Sequence, residues 1–455
     1  MNDKQSIVKK LVEIVGEENV LTEKCDLICY SRDRYPPLVF PKNFVIPLAV
    51  VRPVTTSEVQ KIVKLANKKS IPLVPRGGGT SFSGSAAAIE NGIIIDLTRM
   101  NHIIDIDEDE MHAKVQAGVV IQNLEEKLNQ KGLTLGHDPG SFPSATVGGS
   151  IATNALGWRA GKYGEMARLV LGLEVVLPTG IVIKTRYMPK SSTGFNVKGL
   201  FIGSEGTLGI ITEAILQVSP SPEKRTLLFY AFSNFQKAQK SLIKILKTGL
   251  TPTTMLVVDE EGVKEFTKDE EKAPKAGLIL GYEGLKEEVE AEAERSVKIL
   301  EEEGGINLGE NAAQNFWLSR HDMYSIMNLG GTYDNIDTAV PVKKSVEYYE
   351  YLKSWSKKYK VKSLGISSWM LPQNVSIDLV FDESFPEKVE EYLKVRDEAV
   401  KKALQLDGTL SYCIGIGIRY PHLMKEEHRS ALEVMRVVKK ALDPKNIMNP
   451  GRMGL

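Results

Sequence analysis

Between Leu48 and about Val218 short β-branched runs alternate with a few stretches of helical period, and glycine marks most of the breaks. LAVVRPV is followed by TTSEVQKIVKLANKKS and then by IPLVPRGGGTS. In the middle piece Val59, Ile62, Val63 and Ala66 recur at helical spacing, and Thr55 with Glu58 has the spacing of a capping box. The pattern predicts a strand, a helix and a second strand that empties into a glycine loop. NGIIIDL from Asn91 and LVLGLEVVL from Leu169 are the most apolar segments, yet roughly half the ~18 residues a membrane helix needs, so both are predicted as buried strands. The N-terminal MNDKQSIVKKLVEIVG carries charges where an export signal would be apolar, and reads as an amphipathic surface helix.

Beyond Pro220 the pattern changes. RTLLFYAF, TMLVVDE and AGLILGYEG alternate with helices expected from about Asn234, Lys286 and Val346, which predicts an α+β unit with an antiparallel sheet. SPSPEK marks the junction, since Pro220 and Pro222 cannot continue a central strand. The expected division is a first domain over 1–220, made of an N-terminal helical segment and two α+β subdomains. A second α+β domain spans 221–425, and a segment over 426–455 returns to the first.

The charge balance removes one class of partner. Lys plus Arg and Asp plus Glu number 58 each, and no basic cluster stands out, so nucleic acid is not expected to bind. A length of 455 residues with 42% hydrophobic side chains supports more than one core. Cys25, Cys29 and Cys413 form no CxxC pair, which suits a reducing cytoplasm, and Cys25 and Cys29 are read as small buried thiols.

Three glycine-rich stretches carry the candidate chemistry. In PRGGGTSFSGS, from Pro75 to Ser85, three consecutive glycines follow a strand and free several backbone N–H groups to converge on an anion such as a phosphate. The helix precedes this loop and no Gly-Lys-Ser/Thr follows, so it is neither a Rossmann fingerprint nor a Walker loop. DPGSFPSATVGGSIATNALGWRAGKYG, from Asp138 to Gly164, is dominated by small residues that let a flat ligand lie against backbone. The third, GSEGTLGIITEAIL, reads by itself as a helix start and a strand.

In their order, and with the C-terminal ALDPKNIMNPGRM, these stretches resemble the FAD-linked oxidases of the vanillyl-alcohol oxidase and para-cresol methylhydroxylase type. The nearest branch is that of D-lactate dehydrogenases and the FAD subunit of glycolate oxidase. The resemblance implies a para-cresol-methylhydroxylase-type FAD domain under an α+β cap. In that family the first loop wraps the FAD pyrophosphate, here Pro75, Arg76, Gly77, Gly78, Gly79, Thr80 and Ser81. The second would line the flavin side through Gly140, Ser141, Thr146, Gly148, Gly149 and Asn154, with Tyr163 and Gly164 close by. The third would hold the adenosine half through Glu205, Gly206, Thr207, Gly209, Ile210 and Ile211, and Asn449 of the NPGR tail would return to the flavin. The first loop has no histidine for a covalent link, so the resemblance implies reversible FAD binding.

Oxidising a 2-hydroxy acid requires a base for the hydroxyl proton and a cation for the carboxylate. Arg320, in FWLSR, resembles the arginine that grips the carboxylate, a task suited to a planar two-pronged donor. The chain departs from the branch elsewhere. Its relatives show Gly-Glu-His-Gly-Ile-Gly where this sequence has Tyr412-Cys413-Ile414-Gly415-Ile416-Gly417, and a Gly-Asn-Leu-His-type segment where it has Trp369 to Asn374. None of His102, His112, His137, His321, His422 and His428 falls on those positions, so no metal is expected. Isoleucine neither ligates metal nor moves protons. Tyr412 and Cys413, and after them His321 or His422, are the candidate replacements.

The expected activity is oxidation of a small hydroxy acid, or a related alcohol, with electrons passed to a partner protein. No cysteine cluster for iron and sulfur lies in the chain, so an iron–sulfur relay would be a separate subunit. The chain is also free to form a homo-oligomer. Two other readings compete: a non-redox use of flavin like that of the ether-lipid synthase, and an FAD-bearing electron-transfer or assembly subunit without substrate chemistry of its own.

Overall fold

The computed structural model describes residues 3–35, 45–267, 274–321, 332–381 and 388–455. Strands β1 (Val20–Leu21), β2 (Ala49–Val51), β3 (Leu73–Arg76) and β4 (Ile93–Asp96) form a sheet in the order β1-β2-β4-β3, parallel except for β1. The helix Thr56–Lys69 joins β2 to β3 as the periodicity predicts. Thr55 Oγ1 accepts from the Glu58 amide at 3.2 Å, while the Glu58 carboxylate reaches back to the Val54 amide, one residue before the box position. Val59, Ile62, Val63 and Ala66 are wholly buried, and the N-terminal helix Asp3–Val15 packs on this helix with Ile7 and Leu11 inward.

A second sheet is antiparallel, with β5 (Ile103–Asp107), β6 (His112–Gln116), β8 (Val170–Val176), β9 (Val182–Lys184) and β10 (Ile210–Gln217) in the order β5-β6-β10-β8-β9. The short β7 (Leu133–Thr134) pairs with β11 (Ser219–Pro220), so the junction prolines sit at an edge. Both of the most apolar runs are buried strands, β4 and β8. One hydrophobic core unites these elements and takes in Ile447 and Met448 from the far end of the chain.

The third sheet has seven antiparallel strands: β12 (Lys224–Phe232), β13 (Thr254–Asp259), β14 (Ala276–Gly284), β15 (Ile306–Asn307), β16 (Thr332–Ala339), β17 (Lys362–Trp369) and β18 (Asn374–Phe381), ordered β15-β12-β14-β13-β17-β18-β16. Helices Phe235–Lys247, Lys286–Glu302, Ser345–Lys358 and Val389–Gln405 pack on this sheet around one core. A second cluster, with Leu256, Val258, Val263, Phe266 and Phe316, joins helices Glu260–Thr267 and Glu310–Ser319 to the sheet. The architecture is therefore α+β, with an antiparallel second half. Among the described residues no helix is long and apolar enough to cross a membrane.

Two expectations fail. Cys25 and Cys29 are exposed, because the helix Lys24–Tyr30 buries only Leu27 and its period turns both thiols outward. GSEGTLG starts no helix: Gly203, Glu205 and Gly206 have φ of 72°, 49° and 72°, which the right-handed helix cannot use.

The halves are tied by buried charge. Arg159 donates from Nε to Glu283 Oε1 at 2.7 Å and from Nη1 to Glu125 Oε1 at 3.0 Å, while Arg225 takes Glu283 Oε2 at 2.7 Å. Glu283 belongs to β14, Arg159 and Glu125 to the first half. The two arginines hold the Glu283 carboxyl below its ordinary pKa despite the opposing effect of burial. Glu283→Ala removes one of the two carboxylates that pair the buried Arg159, leaving Glu125 alone, and is expected to cost about 3 kcal/mol, measured as a loss of urea unfolding free energy.

Candidate functional site

The loop after β3, the Asp138–Gly164 stretch and the turn before β10 meet through backbone that tolerates no side chain. A Cβ on Gly78 would lie 1.9 Å from the Ser144 carbonyl oxygen, and one on Gly206 would lie 2.5 Å from Pro75 Cγ. First loop is thus pressed on second, and third on first. Between them lies a cleft of about 1220 Å³, open to solvent along part of its length.

Of the residues singled out in the sequence, Pro75, Arg76, Gly77, Gly78, Gly79, Thr80, Ser81, Gly140, Ser141, Thr146, Gly148, Gly149, Glu205, Gly206, Gly209, Ile211 and Cys413 line this cleft. Others stand behind it. Asn154 caps the helix Met166–Leu169 through the Ala167 amide, Tyr163 lies under Arg159, and Gly164 ends a short helix with φ of 81°. Thr207 bonds the Ser204 carbonyl, and Ile210 is core. Asn449 donates to the carbonyls of Ser85 and Glu205, and its amide bonds Leu73, so it braces the first and third loops.

Glu205 shows a connection that its sequence context does not suggest. Its carboxyl accepts from the amides of Ile416 and Gly417 at 2.6 and 2.8 Å, which ties the YCIGIG stretch to the cleft. Burial pushes this carboxyl up to about 7, against those two amides.

A second cavity of about 1140 Å³ opens on the first and shares Phe82, Gly140, Trp369, Cys413 and Ile414 with it. One wall is apolar, formed by Trp158, Leu256, Val258 and Phe266. The other is a polar sheet face. Tyr333, Asn335 and Asp337 alternate along β16, and their register partners Ser376 and Asp378 on β18 and Ser367 on β17 fall on the same face. Asp378 Oδ1 accepts from Tyr333 Oη and, at 2.6 Å, from Asn335 Nδ2. Asp337 accepts from Asn374 Nδ2 at 2.9 Å and from the Cys413 amide at 2.8 Å. Burial raises both carboxyls above the ordinary range.

Arg320 lines this second cavity. Its Nε donates to Asp138 Oδ2 at 2.8 Å, its guanidinium lies 3.9 Å over the Trp317 ring, and His321 Nε2 meets Asp138 Oδ1 at 2.5 Å. Burial opposes ionisation of Asp138, but His321 and Arg320 together hold its pKa below the ordinary value. Tyr412 is not brought to either cavity: its buried hydroxyl has no partner among the described residues, and its ring stands edge-on to Trp369. Cys413 lines both cavities, yet burial and then the Asp337 charge push its thiol far up, which keeps it neutral. His422 is remote, paired at the surface with Asp397. Sequence reading missed Asp138, Asp337, Asp378 and Tyr333. The signal available for Asp337 and Asp378 was aspartate inside strands otherwise rich in β-branched residues.

Residues 47–186 match the family model for an FAD binding domain, and residues 221–453 match that for the C-terminal domain of FAD linked oxidases. The chain belongs to the family of FAD-linked oxidases. This oxidase is 29% identical to the glycolate oxidase subunit GlcD of Bacillus subtilis over 460 residues, 99% of this chain and 97% of that one. It is 32% identical to a D-lactate dehydrogenase of Archaeoglobus fulgidus over 442 residues, 93% and 95% of the two chains. Among solved structures, an alkyldihydroxyacetonephosphate synthase superposes with a TM-score of 0.81 at 25% identity, covering 98% of this chain and 85% of that one. p-Cresol methylhydroxylase superposes with a TM-score of 0.83 at 19% identity, covering 100% and 98%, and shares the fold.

FAD is the cofactor of this family, and the cleft fits it: a long trough walled by glycine backbone lets a dinucleotide approach closer than side chains would permit. Gly78→Ala is expected to yield folded protein with little or no bound flavin, read as the ratio of visible to 280 nm absorbance after gel filtration. Flavin retention equal to wild type would remove the loop from the cofactor site.

Proposed function

We propose that this FAD-linked oxidase is a dehydrogenase that oxidises a 2-hydroxy acid, with FAD held without a covalent link along the cleft and substrate in the second cavity. Full-length similarity to a glycolate oxidase subunit and to D-lactate dehydrogenases supports the substrate class. The observation that carries the reading is the contact between the cavities at Cys413 and Ile414, with Arg320 on the wall of the second. FAD supplies the acceptor for the hydride leaving the substrate carbon. Arg320 would take the carboxylate with the guanidinium hydrogens that Asp138 and the Trp317 carbonyl do not use. Ile414 stands where the branch has histidine, so the hydroxyl proton needs another acceptor. Asp337 is that acceptor in this reading, being a buried carboxyl held against Cys413 and moved toward neutral pH. Electrons would then leave to a partner protein, in keeping with the subunit nature of GlcD.

Anaerobic mixing with D-lactate, glycolate and longer 2-hydroxy acids should bleach the visible flavin band. A chain that used FAD without net redox change, or served only as an electron-transfer subunit, would not bleach with any of them. Arg320→Ala is expected to raise KM for a carboxylate substrate by about 100-fold or more, since the buried anion loses its paired charge; an unchanged KM removes Arg320 from the site. Asp337→Asn is expected to slow flavin reduction by about 100-fold or more. In the wild type the reduction rate should fall as pH drops through the raised Asp337 pKa and the base becomes protonated, and this acid limb should vanish in the variant.

A further inference from the structure

We infer that the second cavity selects a 2-hydroxy acid whose side chain has an apolar body and ends in a hydrogen-bond donor, a hydroxyl or an amine, rather than a methyl or a second carboxylate. The inference rests on the proposed hydroxy-acid chemistry and names the substrate within that class. It stands on how the sheet register distributes side chains. The rung Asp337, Ser376 and Ser367 lies beside Cys413, at the junction with the cofactor cleft. The next rung on the same face holds Asn335 and Asp378, two residues or about 7 Å farther along the strands. Glycolate and lactate would end at the first rung. Asp378 uses Oδ1 for both Tyr333 and Asn335, and among the described residues nothing donates to Oδ2. Glu265 lines the same cavity, on the last turn of an exposed helix edge.

Charge sets the sign of the selection. Asp337, Asp378 and Glu265 line the cavity, and among the described residues Arg320 is its one cation, already paired with Asp138. A substrate's reacting carboxylate can use what Arg320 has left, but a second carboxylate at the far rung would meet aspartate. The opposite wall, Trp158, Leu256, Val258 and Phe266, offers apolar contact to the methylenes between. A polar, half-buried face with unused acceptor capacity on one side and an apolar wall on the other describes a ligand of mixed character. A donor meeting a charged acceptor is worth enough to discriminate by about 10- to 100-fold.

The test uses the purified flavoprotein and four acids of one chain length: 2-hydroxyhexanoate, 2,6-dihydroxyhexanoate, 6-amino-2-hydroxyhexanoate and 2-hydroxyadipate, with D-lactate alongside. Anaerobic flavin reduction at a series of concentrations gives a Kd for each. The hydroxyl or the amine acid should bind about 10-fold or more tightly than 2-hydroxyhexanoate, and 2-hydroxyadipate about 10-fold or more weakly. Asp378→Asn, checked for full flavin content, should shrink both ratios, and Glu265→Gln at the exposed rim should shrink the amine preference alone. Equal Kd values across the four, tighter binding of 2-hydroxyadipate, or ratios that survive Asp378→Asn overturn the inference. If lactate and 2-hydroxyhexanoate bleach the flavin without such preference, the hydroxy-acid reading stands and only this inference falls. If no 2-hydroxy acid bleaches it, both fall.

Discussion

Three loops from distant parts of the chain touch through bare backbone, and the rest of the molecule is arranged around those contacts. A single carbon at Gly78 would meet the Ser144 carbonyl, and one at Gly206 would meet the ring of Pro75. Close approach of this kind leaves no room for compensation by rotamer change, because the opposing atoms are backbone or a fixed ring. The cleft that fits FAD is thus defined by missing atoms. Its shape is then held from behind by Asn449, which reaches from the last turn of the chain to the carbonyls of Ser85 and Glu205.

Electrostatics joins the cofactor half to the sheet that covers it. Glu125, Arg159, Glu283 and Arg225 form one chain of alternating charge, buried except at its exposed end Arg225, and Arg320 with His321 closes a second link on Asp138. Pairs so deeply placed contribute less by their attraction than by the penalty for misalignment, since any shift leaves a charge dry and alone. Cys413 and Ile414 are kept at the meeting point of the two cavities by other bonds, from the Cys413 amide to Asp337 and from the Ile416 and Gly417 amides to Glu205. The Arg320 link also bears on chemistry: a guanidinium already neutralised by Asp138 retains its geometry as a carboxylate fork but offers less net charge.

Where the resemblance places glutamate and histidine the chain has Cys413 and Ile414, neither of which supplies the base of the proposed reaction. A neutral buried thiol and an aliphatic side chain make that corner apolar. Titratable groups reappear one strand away, as Asp337 and Asp378 on the face of β16 and β18. In the proposed mechanism the base is a carboxyl on a sheet, whose orientation the register of three strands fixes.

Much of the architecture was legible from one chain of letters. Period and alternation located the β2–helix–β3 unit, the buried strands β4 and β8 and the antiparallel second half, because burial of one face imposes those spacings directly. The glycine stretches marked the loops that wall the first cleft, since a need for missing side chains is written as glycine. Tertiary structure alone decided which of those residues face the trough and which brace it, as Asn154, Tyr163 and Asn449 do. It also turned Cys25 and Cys29 outward, left Tyr412 behind Trp369, lined the second cavity with Asp337 and Asp378, and set Asp138 behind Arg320. Those outcomes depend on register and on contacts between residues as far apart as Asp138 and Arg320, and pairing across such separations leaves no local pattern for a sequence to display.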